Sequence, residues 1–281
     1  MMNKLRNIRK VVTGQHTEDG AGVKLVRVIG HDDTKDFDPF LMLDAFDSLD
    51  PQDYIKGFPW HPHRGIETIT YLIEGEIEHG DSLGNADKIL TGECQWMTAG
   101  SGILHQEMPK PSERMLGVQL WLNLPAKNKM VPPKYHGIRQ ADIPVIDEGD
   151  RQIHILAGVY NGKSGALEGE YRKPLLLDVE IAPEAEWSLD IADNTTLFVY
   201  IFQGAGTFSN DKLIPAKHAV LFDESGTFSV RASDQGIRLF LMAGEPLKES
   251  IAWGGPIVMN TQEELELAFQ ELREDKFIKK I

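Results

Sequence analysis

Gly57-Phe-Pro-Trp-His-Pro-His-Arg-Gly-Ile-Glu67 sets two histidines, His61 and His63, two positions apart, just ahead of the apolar run Thr68-Ile-Thr-Tyr-Leu-Ile-Glu-Gly75. On an extended strand, residues i and i+2 point to the same face, so both imidazoles aim one way. Thr98-Ala-Gly-Ser-Gly-Ile-Leu-His-Gln-Glu-Met108 repeats the device with His105 and Glu107. Two such pairs converging inside one β-barrel supply three neutral nitrogens and one carboxylate. That donor set suits a single first-row divalent ion and leaves positions open on a six-coordinate one. Fe(II) is the expected metal, one per chain, and Cu, Ni, Mn, Zn and Co are compatible with the same ligands.

Around these pairs the chain has the rhythm of an all-β protein. Short Val-, Ile-, Leu-, Phe- and Thr-rich runs at 23–30, 67–78, 115–124, 152–158 and 197–208 are separated by Gly, Asp, Asn and Pro breaks, as in sandwiches and barrels. Asp81-Ser-Leu-Gly-Asn85 reads as a hairpin in which Gly84 and Asn85 accept positive φ. Helical periodicity appears only at the end, where Thr261-Gln-Glu-Glu264 has capping-box form and Leu265, Ala268, Phe269 and Leu272 share a helical face. Lys276, Lys279 and Lys280 follow it, complementing the helix dipole. This helix is expected to cover apolar barrel surface.

The halves look like distant copies. Thr68-Ile-Thr-Tyr-Leu-Ile-Glu-Gly75 and Leu197-Phe-Val-Tyr-Ile-Phe-Gln-Gly204 align at an offset of 129, which predicts two barrels of one design. The proline-bearing segment 125–144 is the expected connection. Under the same offset His61, His63 and Glu67 map onto Asp190, Ala192 and Thr196. The second barrel is therefore expected to bind no metal, with His218 alone beside a strand. His16, His31, His79, His136 and His154 lack partners at ligand spacing, so solvated or hydrogen-bonded roles are expected for them.

A formal charge of −14 over 281 residues repels a phosphate backbone and argues against direct nucleic-acid binding. No apolar run approaches the ~20 residues of a membrane span, and the apolar stretch Val11-Val12 near the start is far too short for a signal peptide's h-region, so a cytoplasmic location is expected. With Cys94 as the single cysteine, histidines and carboxylates must supply any metal site, and Cys94 reads as a small buried apolar side chain.

Asp38-Pro-Phe-Leu-Met-Leu-Asp44, His61-Pro-His-Arg-Gly65, Gln95-Trp-Met-Thr-Ala-Gly100 and Gly117-Val-Gln-Leu-Trp-Leu-Asn-Leu-Pro125, with the tail Gly254-Gly-Pro-Ile-Val-Met-Asn260, resemble the pirin family of the cupin superfamily. The resemblance runs from about residue 20 to 275. It implies a bicupin: a metal-binding N-terminal cupin domain at 1–130, a metal-free C-terminal cupin domain at 131–255, and a terminal helical segment at 256–281 packing on the barrels. The general first cupin motif would offer Glu67 as fourth ligand, and strand parity alone does not exclude it. Pirins are understood to use the acid two residues after the third histidine, here Glu107. Glu67, about 13 Å along a strand from His63 at ~3.3 Å per residue, is then expected behind the ligands, orienting a histidine.

The resemblance also implies a function. Several pirins and related bicupins are credited with dioxygenase activity on flavonols such as quercetin, in which the ring is cleaved with loss of carbon monoxide. A metal with open positions would lower the pKa of the substrate's 3-hydroxyl, and Glu107 would take the proton as general base. Phe58, beside the ligand strand, would wall a flat aromatic substrate. The alternative is a regulatory protein whose metal or redox state alters its surface for a protein partner, without turnover.

Overall fold

The structure, a computed structural model, describes residues 4–209 and 212–279; Lys280, expected beyond the terminal helix, lies outside them. Contacts gather the chain into two compact units, one of Gln15–Thr34, Phe40–Gln140 and Leu247–Ile281, the other of Met1–Gly14, Lys35–Pro39 and Ala141–Pro246. Each is built on antiparallel strands, as the spacing of the apolar runs predicts.

In the unit holding the histidine pairs, one sheet runs in the order Lys134–Ile138, Cys94–Thr98, Ile66–Glu74, Met115–Asn123, Phe40–Ser48, Val23–Ile29, Gln15–Asp19. Its central strands are buried on both faces: every residue of Met115–Asn123 is buried. They are therefore rich in Leu, Ile, Val and Trp on both faces, with a few buried polar residues such as Gln119 among them. A second sheet sets Phe58–His63 beside Ile103–Pro109, then Ile77–Asp81 and Ala86–Ile89. The hairpin at 81–85 forms as expected, with Gly84 at φ +90°. Asn85 does not take positive φ; its backbone N–H and side-chain amide instead donate to the Asp81 carboxylate at 3.0 and 2.8 Å.

The other unit centres on Thr196–Thr207 paired with the long strand Thr227–Gly244. Gly75 and Gly204, matched by the internal repeat, both take positive φ. The interior of this unit is apolar, with Trp187, Phe208, Phe222 and Phe228 packed ring to ring among buried Ile, Leu and Val.

The units depart from the contiguous boundaries 1–130, 131–255 and 256–281. Ile8–Val12 pairs with Ala219–Phe222, and the buried Arg6 guanidinium donates to the carbonyls of Ile191, Ala192, Thr195, Asp223 and Gly226. The segment 125–144 is more than a connection, because Lys134–Ile138 extends the first sheet against Cys94–Thr98. The terminal helix, Gln262–Arg273, carries the expected capping box between Thr261 and Glu264. Its Leu265 and Ala268 are buried against Ile257, Met259 and Phe277, so the apolar surface it covers is that of the tail strands. Among the described residues no helix is long and apolar enough to cross a membrane.

Candidate metal centre

Strand register builds the site. Phe58–His63 and Ile103–Pro109 are antiparallel, with His105 directly opposite His61 and Ile103 opposite His63. Directly opposed residues share a sheet face, and so do residues two apart on one strand. His61, His63 and His105 consequently meet, with one ring nitrogen of each lying within 4.8 Å of the others.

The hydrogen bonds fix two tautomers. His61 Nδ1 lies 2.8 Å from the Pro59 carbonyl and His63 Nδ1 3.1 Å from the Pro256 carbonyl. A carbonyl only accepts, so each Nδ1 carries the proton and each Nε2 presents a lone pair. Those two Nε2 atoms face each other at 3.1 Å, the separation of neighbouring nitrogens on one ion with bonds of ~2.1 Å. His105 is fully buried, and neither of its ring nitrogens has a hydrogen-bond partner among the described residues. Burial, then the nearness of His61, pushes His63 down to about 3. Burial first, then the other histidines, holds His105 well below the usual imidazole range. Burial thus keeps His63 and His105 neutral, and with the three ring nitrogens gathered at one point the residues fit a metal ion.

Glu107, expected as fourth ligand, is buried on the same strand but is not one of the converging group. Its Oε1 accepts from Thr70 Oγ1 at 3.0 Å and from Gln95 Nε2, and its Oε2 accepts from Gln119 Nε2 at 2.6 Å. Gln119 Oε1 in turn accepts from Trp121 Nε1 at 3.3 Å. Glu67 is also buried outside the three-histidine group, and it accepts from Thr98 Oγ1 at 2.7 Å.

A cavity of about 740 Å3 opens onto His61 and His63 and is walled by Phe58, Trp121, Trp253 and His31. Trp253 stacks on His31 with centroids 4.8 Å apart, and Trp121 meets His63 edge-on at 5.0 Å. Gln95, Gln119, Trp121 and Trp253 are the residues that sequence reasoning leaves without roles. A signal existed for the two glutamines: an amide inside an otherwise apolar buried strand must find a partner. Trp253 comes from a segment about 190 residues further along, which no local pattern connects to His63. His79, left to a hydrogen-bonded role, is buried beside His105 with its Nε2 3.1 Å from Asp81 Oδ2 and its ring stacked on Tyr135.

The pirin family model matches residues 22–122 and the model of the pirin C-terminal cupin domain matches 176–278. A Pseudomonas aeruginosa protein provisionally named a quercetin 2,3-dioxygenase is 40% identical over 97% of this chain and 98% of its own length. A pirin-like protein of Caulobacter vibrioides is 38% identical over 97% and 99%. Among solved structures, a quercetin 2,3-dioxygenase from Acinetobacter baumannii superposes with a TM-score of 0.89 at 31% identity, covering 98% of this chain and 99% of that one. With its tandem cupin domains and its three-histidine cluster, the chain belongs to the pirin family.

Proposed function

We propose that this chain is a mononuclear metal oxidoreductase that cleaves a flavonol of the quercetin type with dioxygen. His61, His63 and His105 would hold the ion, Fe(II) by preference, with Glu107 completing the set and acting as the base. The observation that carries the reading is the group of three converging imidazoles around His105, whose two buried ring nitrogens have no hydrogen-bond partner among the described residues. The names of the P. aeruginosa and A. baumannii relatives support the substrate class.

The chain's own residues divide the work. Bound there, the metal would supply Lewis acidity toward a hydroxyl oxygen and one-electron chemistry with dioxygen. The cavity beside His61 and His63 is walled by flat rings, which suits a planar aromatic substrate better than a sugar or a peptide. Glu107 is the buried carboxylate nearest in sequence to a ligand, and it accepts from the Thr70 hydroxyl and the Gln119 amide. A carboxylate two residues from a ligand can take a proton from a hydroxyl brought to the ion, so Glu107 is assigned as general base.

Metal-free protein loaded with Fe(II) under anaerobic conditions, then given quercetin and oxygen, tests this. The expected result is loss of the flavonol absorbance with release of carbon monoxide, above a control of buffer plus metal. Protein loaded in turn with iron, copper, nickel and manganese that leaves quercetin unchanged would refute the enzymatic reading in favour of a metal-dependent regulator.

A further inference from the structure

His63 owes its orientation to a distant part of the chain. The Pro256 carbonyl that takes its Nδ1 proton is 193 positions away in sequence, whereas His61 uses the carbonyl of Pro59, two residues back. Pro256 is the second residue of the two-residue turn joining Ala252–Gly254 to Ile257–Met259, with Gly254 paired to Ile257. Gly255, the first turn residue, takes φ +53°, as glycine does at that position of a tight hairpin.

This hairpin is fastened to the ligand strand itself. Val258 N donates to the Arg64 carbonyl at 3.1 Å. Lys129 Nζ bridges the carbonyls of Gly65 and Val258, 2.9 Å from each. A Cβ on Gly65 would lie 1.9 Å from the Val258 oxygen, so the two backbones touch immediately after His63. The Arg64 side chain donates to the carbonyls of Ser101 at 2.7 Å and Phe277 at 2.9 Å, pairs with Glu271 at 2.8 Å, and lies over the Phe277 ring. It thereby ties the start of the His105 strand to the chain's tail. Trp253, on the same hairpin, walls the cavity.

We infer that the hairpin 252–259 is a positioning element of the metal centre, whose turn carbonyl on Pro256 sets the tautomer of His63 and so presents its Nε2 to the ion. The inference rests on the metal reading proposed above. A carbonyl on Nδ1–H removes the competing tautomer, fixes the ring rotation and raises the basicity of Nε2, and losing such a partner weakens metal affinity by roughly 10–100-fold. Pro256 and its neighbours are positioning residues that do not touch the ion.

The test uses the full chain with Zn(II) as the probe, its histidines labelled with 15N for long-range proton–nitrogen NMR. In the loaded protein His63 is expected to show a protonated Nδ1 shielded from solvent exchange and a metal-bound Nε2. Gly255→Val places a β-branched residue at positive φ, and no atom lies within 4 Å of its Cβ, so it strains the turn without a clash. Competition with a chelator is expected to show zinc bound roughly 10–100-fold more weakly, with the His63 Nδ1 proton exposed and that of His61 unchanged. Pro256→Ala keeps the carbonyl and is expected to match the wild type in both readouts. A Gly255→Val protein with wild-type affinity and an unchanged His63 signal would overturn the inference. So would a wild-type His63 bound through Nδ1, which decides the matter even where the variant does not fold. A wild-type chain that takes up no zinc refutes the metal reading and this inference together, whereas zinc binding indifferent to the hairpin refutes the inference alone.

Discussion

Glu107 is the residue on which chemistry and stability meet. Its carboxylate satisfies three donors, the Thr70 hydroxyl and the amides of Gln95 and Gln119, in a place that water does not reach. Glu107→Gln removes the charge and turns one acceptor into a donor. Gln95 can answer by rotating its amide, because its Oε1 has no hydrogen-bond partner among the described residues. Gln119 is held by the Trp121 indole and cannot rotate without losing that bond. The new amide can turn its nitrogen toward the rotated Gln95 and its oxygen toward Gln119, so every pair is kept and the cost is about 1 kcal/mol or less, a fall of at most roughly 4 °C in melting temperature. Glu107→Ala strands all three donors and should cost more, ~3 kcal/mol or above. Thermal denaturation beside a quercetin assay checks both. The Gln variant is expected to be folded and metal-loaded but without turnover, and full turnover in it would remove Glu107 from the role of base. The spacing to His105 is what singles this carboxylate out in the sequence. Its amide cradle is not legible there, because the partners come from strands around residues 70, 95 and 119, whose pairing is a property of the sheet.

At the scale of elements, the histidine pairs were the easiest part to read, because period-two alternation is a local property and antiparallel register then brings His105 opposite His61 without further information. The tail hairpin is the opposite case. Nothing within 252–259 reveals that it lies against residues 64 and 65, and the clue in hindsight is a buried lysine. Lys129 is 2% exposed and spans two chain segments with three oxygen acceptors: the carbonyls of Gly65 and Val258, and Asn123 Oδ1 at 2.5 Å. Burial is the largest influence on its amine and pulls it from 10.5 to about 7, against the weaker pull of Glu249 and Glu264. Between those two values the unfolded chain carries the extra proton, so folding stability rises with pH across this window and is lost as pH falls toward 7. Denaturant titrations at pH 7.5, 8.5 and 9.5 should show the wild type gaining up to about 1.4 kcal/mol per pH unit relative to Lys129→Met. Parallel pH profiles for the two proteins would mean that Lys129 stays charged in the fold, with its three acceptors outweighing its burial.

Across the whole molecule, two units of related design have been put to different uses, and the difference lies in what fills their interiors. In the unit of His61 and His105, the interior holds buried polar groups: the His63 and His105 imidazoles, Glu107, and the Gln95 and Gln119 amides. In the other, the core is built of Trp187, Phe208, Phe222, Phe228 and branched aliphatics. An interior filled to ordinary density with apolar side chains has neither room nor donors for an ion. His218 does not alter this, since its Nδ1 lies 3.0 Å from the Ala216 carbonyl and it belongs to no metal-ligating group among the described residues. The internal repeat therefore predicts one metal per chain rather than two. Elemental analysis of reconstituted protein should give a ratio near one, unchanged in His218→Ala and largely lost in His105→Ala. His105→Ala removes a nitrogen at the centre of the cluster yet deletes a side chain that makes no hydrogen bond among the described residues, so its apoprotein should fold with only the cost of a buried cavity, roughly 2–4 kcal/mol. A ratio of two, or full loading in folded His105→Ala, would place the metal elsewhere than among the three histidines.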